Sequence, residues 1–252
     1  MIIMVRLTMN GVMPMHSDLR SDQLHVTVDL LIMTIRDDRL HLLLSRRVSP
    51  PYEGQWALPG SFVGMNEAAE EAAERLLKEM LPVSEAFLEQ LYTFTRADRD
   101  PRGRVISVAY LVIIPYRRLA AALGEHSPFH LFEVQLDACG LNLSDGAEQR
   151  LGPADLAFDH GSIVETGIRR LRGKIDYTEI GFHFLEDPDA FALSELQTIY
   201  EAVLGNALDT SNFRRSILNR YEKTGRLEQT SQAEKHGRGR PAVLYRLKSR
   251  SC

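Results

Sequence analysis

Residues 61–83 read SFVGMNEAAEEAAERLLKEMLPV, and the fold turns on how this run is understood. From Glu67 to Leu81 it consists almost wholly of strong helix formers, and Pro82 ends it. Ala69, Ala73 and Leu77 share one helical face, which Leu76 and Met80 widen into a stripe that packs into a core. Positions 76, 79 and 80 have the i, i+3, i+4 spacing that would let three acids converge on one hard cation. Only Glu79 is an acid there. Magnesium takes several oxygens in near-octahedral array, so a lone Glu79 between two apolar neighbours is a poor site. Glu70, Glu71 and Glu74 are read as a solvated face, because Glu70 and Glu74 point well away from Glu79.

Working outward, His25 to Ile35 is a strand rich in Val, Ile and Leu, followed by a turn at Arg36 to Arg39 and a second strand at Leu40 to Leu44. Trp56-Ala57-Leu58-Pro59-Gly60 is a short strand and turn leading into the helix. Leu91 to Phe94 and Val105 to Ile114 are two more strands around the loop Arg96 to Arg104, with weaker candidates at Phe132 to Leu136 and Leu156 to Phe158. Asp159 to Lys174 reads as a helix with Asp159 as N-cap and Ile163, Gly167, Ile168 and Leu171 on one face.

The chain of 252 residues is comfortable for two domains. Apolar content of 44% with 25% charged residues is ordinary for a globular protein, and nothing approaches the ~20 apolar residues of a membrane span. Cys139 and Cys252 have no metal or redox spacing, which points to a reducing cytoplasm. His160 and the other histidines likewise lack ligand spacing and are read as core or surface residues. The Met-rich opening, residues 1–21, lacks a signal-peptide core and is read as a flexible leader or as the product of a start codon assigned too far upstream. The net charge of −4 is unevenly spread. Residues 209–252 hold eleven basic and four acidic side chains, leaving 19 and 30 to residues 1–208. An acidic body with a basic tail piece implies a second job involving a polyanion.

That tail has its own pattern. Ser194-Glu195-Leu196-Gln197 reads as a capping box opening a helix from Glu195 to Leu204, and Gly205 stops it. After a turn at Asn206 to Asp209, a second helix spans Ser211 to Tyr221, with Phe213, Ile217, Leu218 and Tyr221 inward. Strands at Arg226 to Thr230 and Ala242 to Leu247 then bracket a loop ending Gly237-Arg238-Gly239-Arg240-Pro241. This is a winged helix-turn-helix in outline. Asn212, Arg215, Ser216 and Asn219 face away from the apolar side, and their chemistry suits major-groove base edges. Arg214 lies nearer the apolar side and is expected to reach a phosphate, while Arg238 and Arg240 suit a narrow minor groove.

The run at 61–83 resembles the Nudix signature, G-x5-E-x7-R-E-U-x-E-E-x-G-U, where U is a bulky aliphatic residue. Ser61 stands for the first glycine, Glu67 for the first acid and Arg75 for the arginine. Leu76, Glu79 and Met80 stand where the family places the three glutamates that hold magnesium, and Pro82 where it has its second glycine. Glu67 and Glu79 are thus remnants. With Asp98 to Tyr110 (DRDPRGRVISVAY), Leu193 to Gln197 (LSELQ), Asn212 to Arg215 (NFRR) and the Gly-Arg loop, the chain resembles the Nudix-related transcriptional regulators of NAD metabolism, NrtR, from about Gln23 to Lys248.

The resemblance implies a Nudix α/β/α sandwich followed by a winged helix-turn-helix, with the effector domain at 22–158 and a linker helix and DNA-binding domain at 159–252. It implies a cytoplasmic homodimeric repressor, without cofactor, catalytic residues or bound metal, that holds palindromic DNA and is released by ADP-ribose or a related nucleotide. Such a ligand needs cations for its phosphates, for which Arg46, Arg47, Arg102 and Arg104 are candidates. It also needs a flat apolar surface for its base, for which Trp56 or Tyr110 is a candidate. The competing expectations are a weak ADP-ribose hydrolase using Glu79 with Glu67 or an acid from elsewhere in the fold, and a regulator of the same build tuned to a pentose.

Overall fold

The computed structural model describes residues 23–83, 85–124, 127–147, 149–234 and 242–248. The leader expected at 1–21, Cys252, Arg238 and Arg240 lie outside them. A hairpin opens the fold: β1 (His25–Arg36) and β2 (Arg39–Arg46) are joined through Asp37 and Asp38, both at positive φ, as a tight two-residue turn between right-twisted strands requires. The short strands β3 (Trp56–Ala57) and β4 (Gly60–Phe62) lead into α1 (Ala69–Met80). There follow β5 (Phe87–Phe94), β6 (Val105–Ile113), α2 (Tyr116–Leu123), β7 (Phe129–Asp137), β8 (Gly140–Ser144) and β9 (Arg150–Leu151). They form one sheet in the order β5-β6-β1-β2-β7-β8-β9, with β3 on β2 and β4 on β1. β1 and β6 run parallel, and the other strand pairs of this sheet are antiparallel.

Strand alternation divides the interior into two layers. Val28, Leu30 and Ile32 of β1 and Tyr110 and Val112 of β6 face α1 and α2, while Leu31, Met33, Ala109, Leu111 and Ile113 face the opposite side. That side is covered by α3 (His160–Ile175). At Gly167 the helix comes so near β1 that an added Cβ would stand 2.0 Å from Leu31 Cδ2, so a side chain there would have to push the Leu31 methyl aside. A helix on each face of a mixed sheet makes the expected α/β/α sandwich.

After a 3₁₀ turn at Ile180–Phe184 come β10 (Phe191–Ala192), α4 (Leu193–Leu204), α5 (Thr210–Ile217), β11 (Leu227–Glu234) and β12 (Ala242–Leu247). The strands form a second sheet in the order β10-β12-β11, completing a winged helix. Its core is continuous with the layer under α3, since Leu196, Tyr200, Phe213 and Tyr221 belong to the same cluster as Leu31 and Ile168. Arg172 of α3 fastens the two regions directly. Its guanidinium donates to the Leu136 carbonyl of β7 at 2.7 Å and to the Val203 carbonyl of α4 at 2.9 Å. Among the described residues, no helix is long and apolar enough to cross a membrane.

Three expectations are corrected. Ser194 does not cap α4: β10 runs straight into the helix, the N-cap is Ala192, and Ser194 already lies in the first turn, where its carbonyl accepts from Thr198. Leu156 to Phe158 is not a strand but one bridge to Trp56 preceding α3, because Phe158 turns to φ +55 and breaks the extended path. The second helix of the tail is shorter than Ser211 to Tyr221, giving way to a π turn at Leu218–Glu222. Phe213, Ile217 and Tyr221 are four apart, which overshoots a 3.6-residue turn; the wider turn takes up the overshoot and keeps Tyr221 inward, its hydroxyl donating to Thr178 O at 2.8 Å.

Candidate nucleic-acid interface and effector cluster

The box helix shows what became of the remnant acids. Leu76 is buried with Ala72, Ala73 and Leu77 in the core beneath α1, and Met80 packs against the same cluster. Arg75 donates to both Glu67 oxygens, at 3.1 and 2.8 Å, to the Phe62 carbonyl at 3.3 Å, and to Glu79 at 3.5 Å. Glu67 also accepts from Gly64 N at 2.7 Å. The two surviving acids are therefore engaged with one guanidinium, and the other two positions, Leu76 and Met80, are hydrocarbon. A magnesium ion does not fit this donor set. Arg75 and the Gly64 amide hold the Glu67 carboxyl down to about 2, well under its ordinary 4.5. A depressed carboxylate contributes stability that is present above the ordinary value and lost as pH falls toward the folded one. Glu67→Gln should thus be less stable than the parent at pH 7, and the gap should close between about pH 4.5 and about 2 in urea melts. A gap that stayed constant across that window would contradict the Arg75 clamp.

A second polar assembly lies deep between the sheet and the start of α3. Asp29, the one acid of β1, accepts a short hydrogen bond from Ser107 and lies 3.4 Å from Arg99 Nη2. Arg99 makes two bonds to Asp159, at 3.1 and 2.7 Å. Asp159 does occupy the N-cap position of α3, but its carboxylate is taken up by Arg99 rather than by helix amides. Burial works against the Arg99 charge, and Asp29 and Asp159 more than offset it, leaving its pKa raised. His160 is buried, accepts at Nδ1 from Leu58 N at 2.9 Å, and turns Nε2 toward Asp29 at 3.6 Å. Burial lowers its pKa despite Asp29, so it is held neutral at pH 7.

Over this assembly cations and rings interleave. Arg102, held by Asp100 at 3.0 and 2.7 Å, lies 5.7 Å from the Phe62 ring and 5.5 Å from that of Phe158. Arg47 lies 4.7 Å from the Phe158 ring and donates to the Pro51 and Ser49 carbonyls. Tyr52 meets Phe158 edge-on, and His25 meets Phe62 edge-on. Of the sequence candidates for the effector, the structure brings Arg47 and Arg102 together around Phe158. Arg46 stands apart over Trp56, at 4.9 Å, and Arg104 donates to the Thr95 and Arg96 carbonyls. Trp56 is buried against His130 and Phe132, and Tyr110 is buried on the opposite face of the sheet, so the two rings share no site. Phe158, Phe62, Tyr52 and the Asp29 cluster were missed by sequence reasoning. An aspartate inside HVTVDLLIMTIR was a usable signal for the last; the positive φ of Phe158 left none.

In the tail, Asp209 caps α5 by accepting from Asn212 N at 2.8 Å, and Gln197 braces the turn before it. Gln197 Nε2 donates to Glu201 at 3.0 Å and to Leu208 O at 3.1 Å, while Glu201 accepts from Leu208 N at 2.8 Å. Phe213 and Ile217 are buried, and Asn212, Arg214, Arg215, Ser216 and Asn219 are all exposed, Asn219 within the π turn. Arg215 donates to Asn212 Oδ1 at 2.5 Å, and Arg214 to the Tyr245 hydroxyl at 3.2 Å. Several other cations of the basic tail are paired with acids: Arg226 with Glu179 at 2.6 Å, Lys248 with Glu228 at 3.1 Å and Arg246 with Asp189 at 3.5 Å.

Comparison with known proteins matches residues 23–136 to the NUDIX domain and 181–247 to the NrtR DNA-binding winged helix domain. The chain is 33% identical over 226 residues to the ADPR responsive transcriptional repressor NtrR of Acinetobacter baylyi, covering 88% of this chain and 81% of that one. It is similar to Shewanella oneidensis NrtR crystallised with a 27mer DNA, at 30% identity and a TM-score of 0.69, over 88% of this chain and 93% of the other. It is also 34% identical over 156 residues to the ADP-ribose pyrophosphatase of Methanocaldococcus jannaschii, covering 62% of this chain and 82% of that enzyme.

Proposed function

Because this chain belongs to the NrtR family of Nudix-related transcriptional regulators, we propose that it is a repressor that binds operator DNA through α5 and is released by ADP-ribose or a related nucleotide. One observation carries the reading: where a hydrolase would hold metal, Leu76 is packed into the core, while the winged helix keeps an intact polar outer face. The Nudix unit then binds without turning over, and the winged helix supplies the output. The regulated genes are those of NAD biosynthesis or salvage, and the protein works in the cytoplasm. A homodimer on palindromic DNA follows from the two-fold symmetry that matched half-sites require.

In this reading Arg47 and Arg102 meet the effector's phosphates beside Phe158, with Arg46 and Arg104 at the margin. Asn212, Arg215, Ser216 and Asn219 face base edges, and Arg238 and Arg240, outside the described residues, belong to the wing. Release requires that effector and DNA favour different arrangements of the two units, and linkage requires that DNA weaken effector binding by the same factor. The test is fluorescence anisotropy on a labelled duplex from upstream of the chain's own operon, with EDTA present. Specific binding that ADP-ribose reverses without metal is expected. Binding that ignores ADP-ribose but responds to arabinose or xylose would transfer the reading to a pentose regulator.

A second reading, a weak Nudix hydrolase of ADP-ribose, is supported by the relative named ADP-ribose pyrophosphatase. Metal-dependent turnover that Glu79→Gln abolishes would favour it.

A further inference from the structure

Tyr245 ties the wing sheet to α5. Tyr245 lies in β12, the middle strand of that sheet, paired with Phe191 of β10 on one side and Gln229 of β11 on the other. It is only 3% exposed, so its position is set by packing on both flanks. Its hydroxyl is nevertheless the group that meets the exposed Arg214, at 3.2 Å from Nη2. The neighbouring Arg215 is tied along its own helix to Asn212. Two consecutive arginines of α5 are thus held in different directions, one across the helix to the sheet and one along it.

Resting on the repressor reading, we infer that Tyr245 is a positioning residue for DNA binding: it fixes the Arg214 guanidinium against the wing sheet and so presents its remaining N–H groups to a backbone phosphate. Arginine has five donors in a rigid fork, so one bond to a hydroxyl leaves the charge and four donors for the phosphate. A long side chain otherwise loses rotamer freedom on binding, and a preset guanidinium loses less. The wing sheet therefore contributes to DNA affinity from its interior, apart from any contact its loop makes. Arg215, with Asn212, is left to the base edges.

The experiment measures operator affinity by anisotropy over a range of salt for the full-length parent, Tyr245→Phe, Arg214→Ala and the double variant, on the duplex named above. Phenylalanine keeps the ring and its packing, so the melting midpoint should barely move. Tyr245→Phe should weaken binding about three- to tenfold, and Arg214→Ala should reduce the slope of log affinity against log salt by about one per protomer, or about two for the dimer on its palindrome. The double variant should bind no worse than Arg214→Ala alone, because both changes remove one arrangement. Additive losses, a Tyr245→Phe protein that binds like its parent, or an Arg214→Ala slope unchanged from the parent's would overturn the assignment while leaving the repressor intact. A parent protein that fails to bind the duplex overturns the repressor reading itself, and the role of Tyr245 with it.

Discussion

Arg99→Met is expected to destabilise the protein by about 3–5 kcal/mol. Arg99 is the cation that joins Asp29, within the central strand β1, to Asp159, at the start of α3, and all three side chains are buried. Methionine would fill much of the volume and leave two carboxylates out of water, with Ser107 and a neutral His160 as their remaining described partners. Removing one partner of such a group costs far more than the pair contributes over a hydrocarbon equivalent, because the stranded charge has no route back to solvent. Urea unfolding at pH 7 measures the loss directly; a change below about 1 kcal/mol, the scale of an exposed ion pair, would mean that water reaches the cluster. The neighbouring Phe158 loop should loosen with it, so ADP-ribose affinity, where retained, should fall with stability.

The second large effect tests what the box helix has become. Leu76→Glu restores the acid that the signature places after Arg75, yet should cost about 3–5 kcal/mol rather than restore a catalyst, since it puts an unpaired charge among buried apolar groups. Leu76 is 6% exposed and packs with Ala73 and Leu77. Met80 would remain hydrocarbon and Glu79 would remain beside Arg75. Thermal melting, and chromatographic detection of AMP and ribose 5-phosphate from ADP-ribose with magnesium, should show a lowered midpoint and no turnover. Turnover in this single variant would mean that the helix still holds the geometry of a metal site.

Much of this architecture was legible because period and punctuation agree with burial. The β1–β2 hairpin, α1, α3 and the strand Ala242 to Leu247 fall within a residue or two of where hydrophobic spacing places them. The strands β8, β9 and β10 were not: β9 and β10 have only two residues each, β8 has five, and β10 pairs with the distant β12. The helix α2 was passed over because it buries just Leu119 and has one turn of pattern to show. On α5 the outward residues could be read from a helical wheel, since Phe213 and Ile217 fix the inner face. The cluster around Phe158 could not, because it assembles side chains from 25 to 160 and depends on a backbone turn that no residue type announces.

The helix α3 has a consequence for descent rather than for stability. One face of it closes the sheet through Gly167, and Arg172 holds both β7 and α4. Recombination that exchanged the DNA-reading half for another would have to cut through a helix that both halves need, or carry it along with its glycine and arginine intact. New pairings of sensor and reader are therefore hard to reach by shuffling, and variation within this architecture must proceed mainly by residue replacement, changing which ligand is sensed or which sequence is read while the join itself is inherited whole.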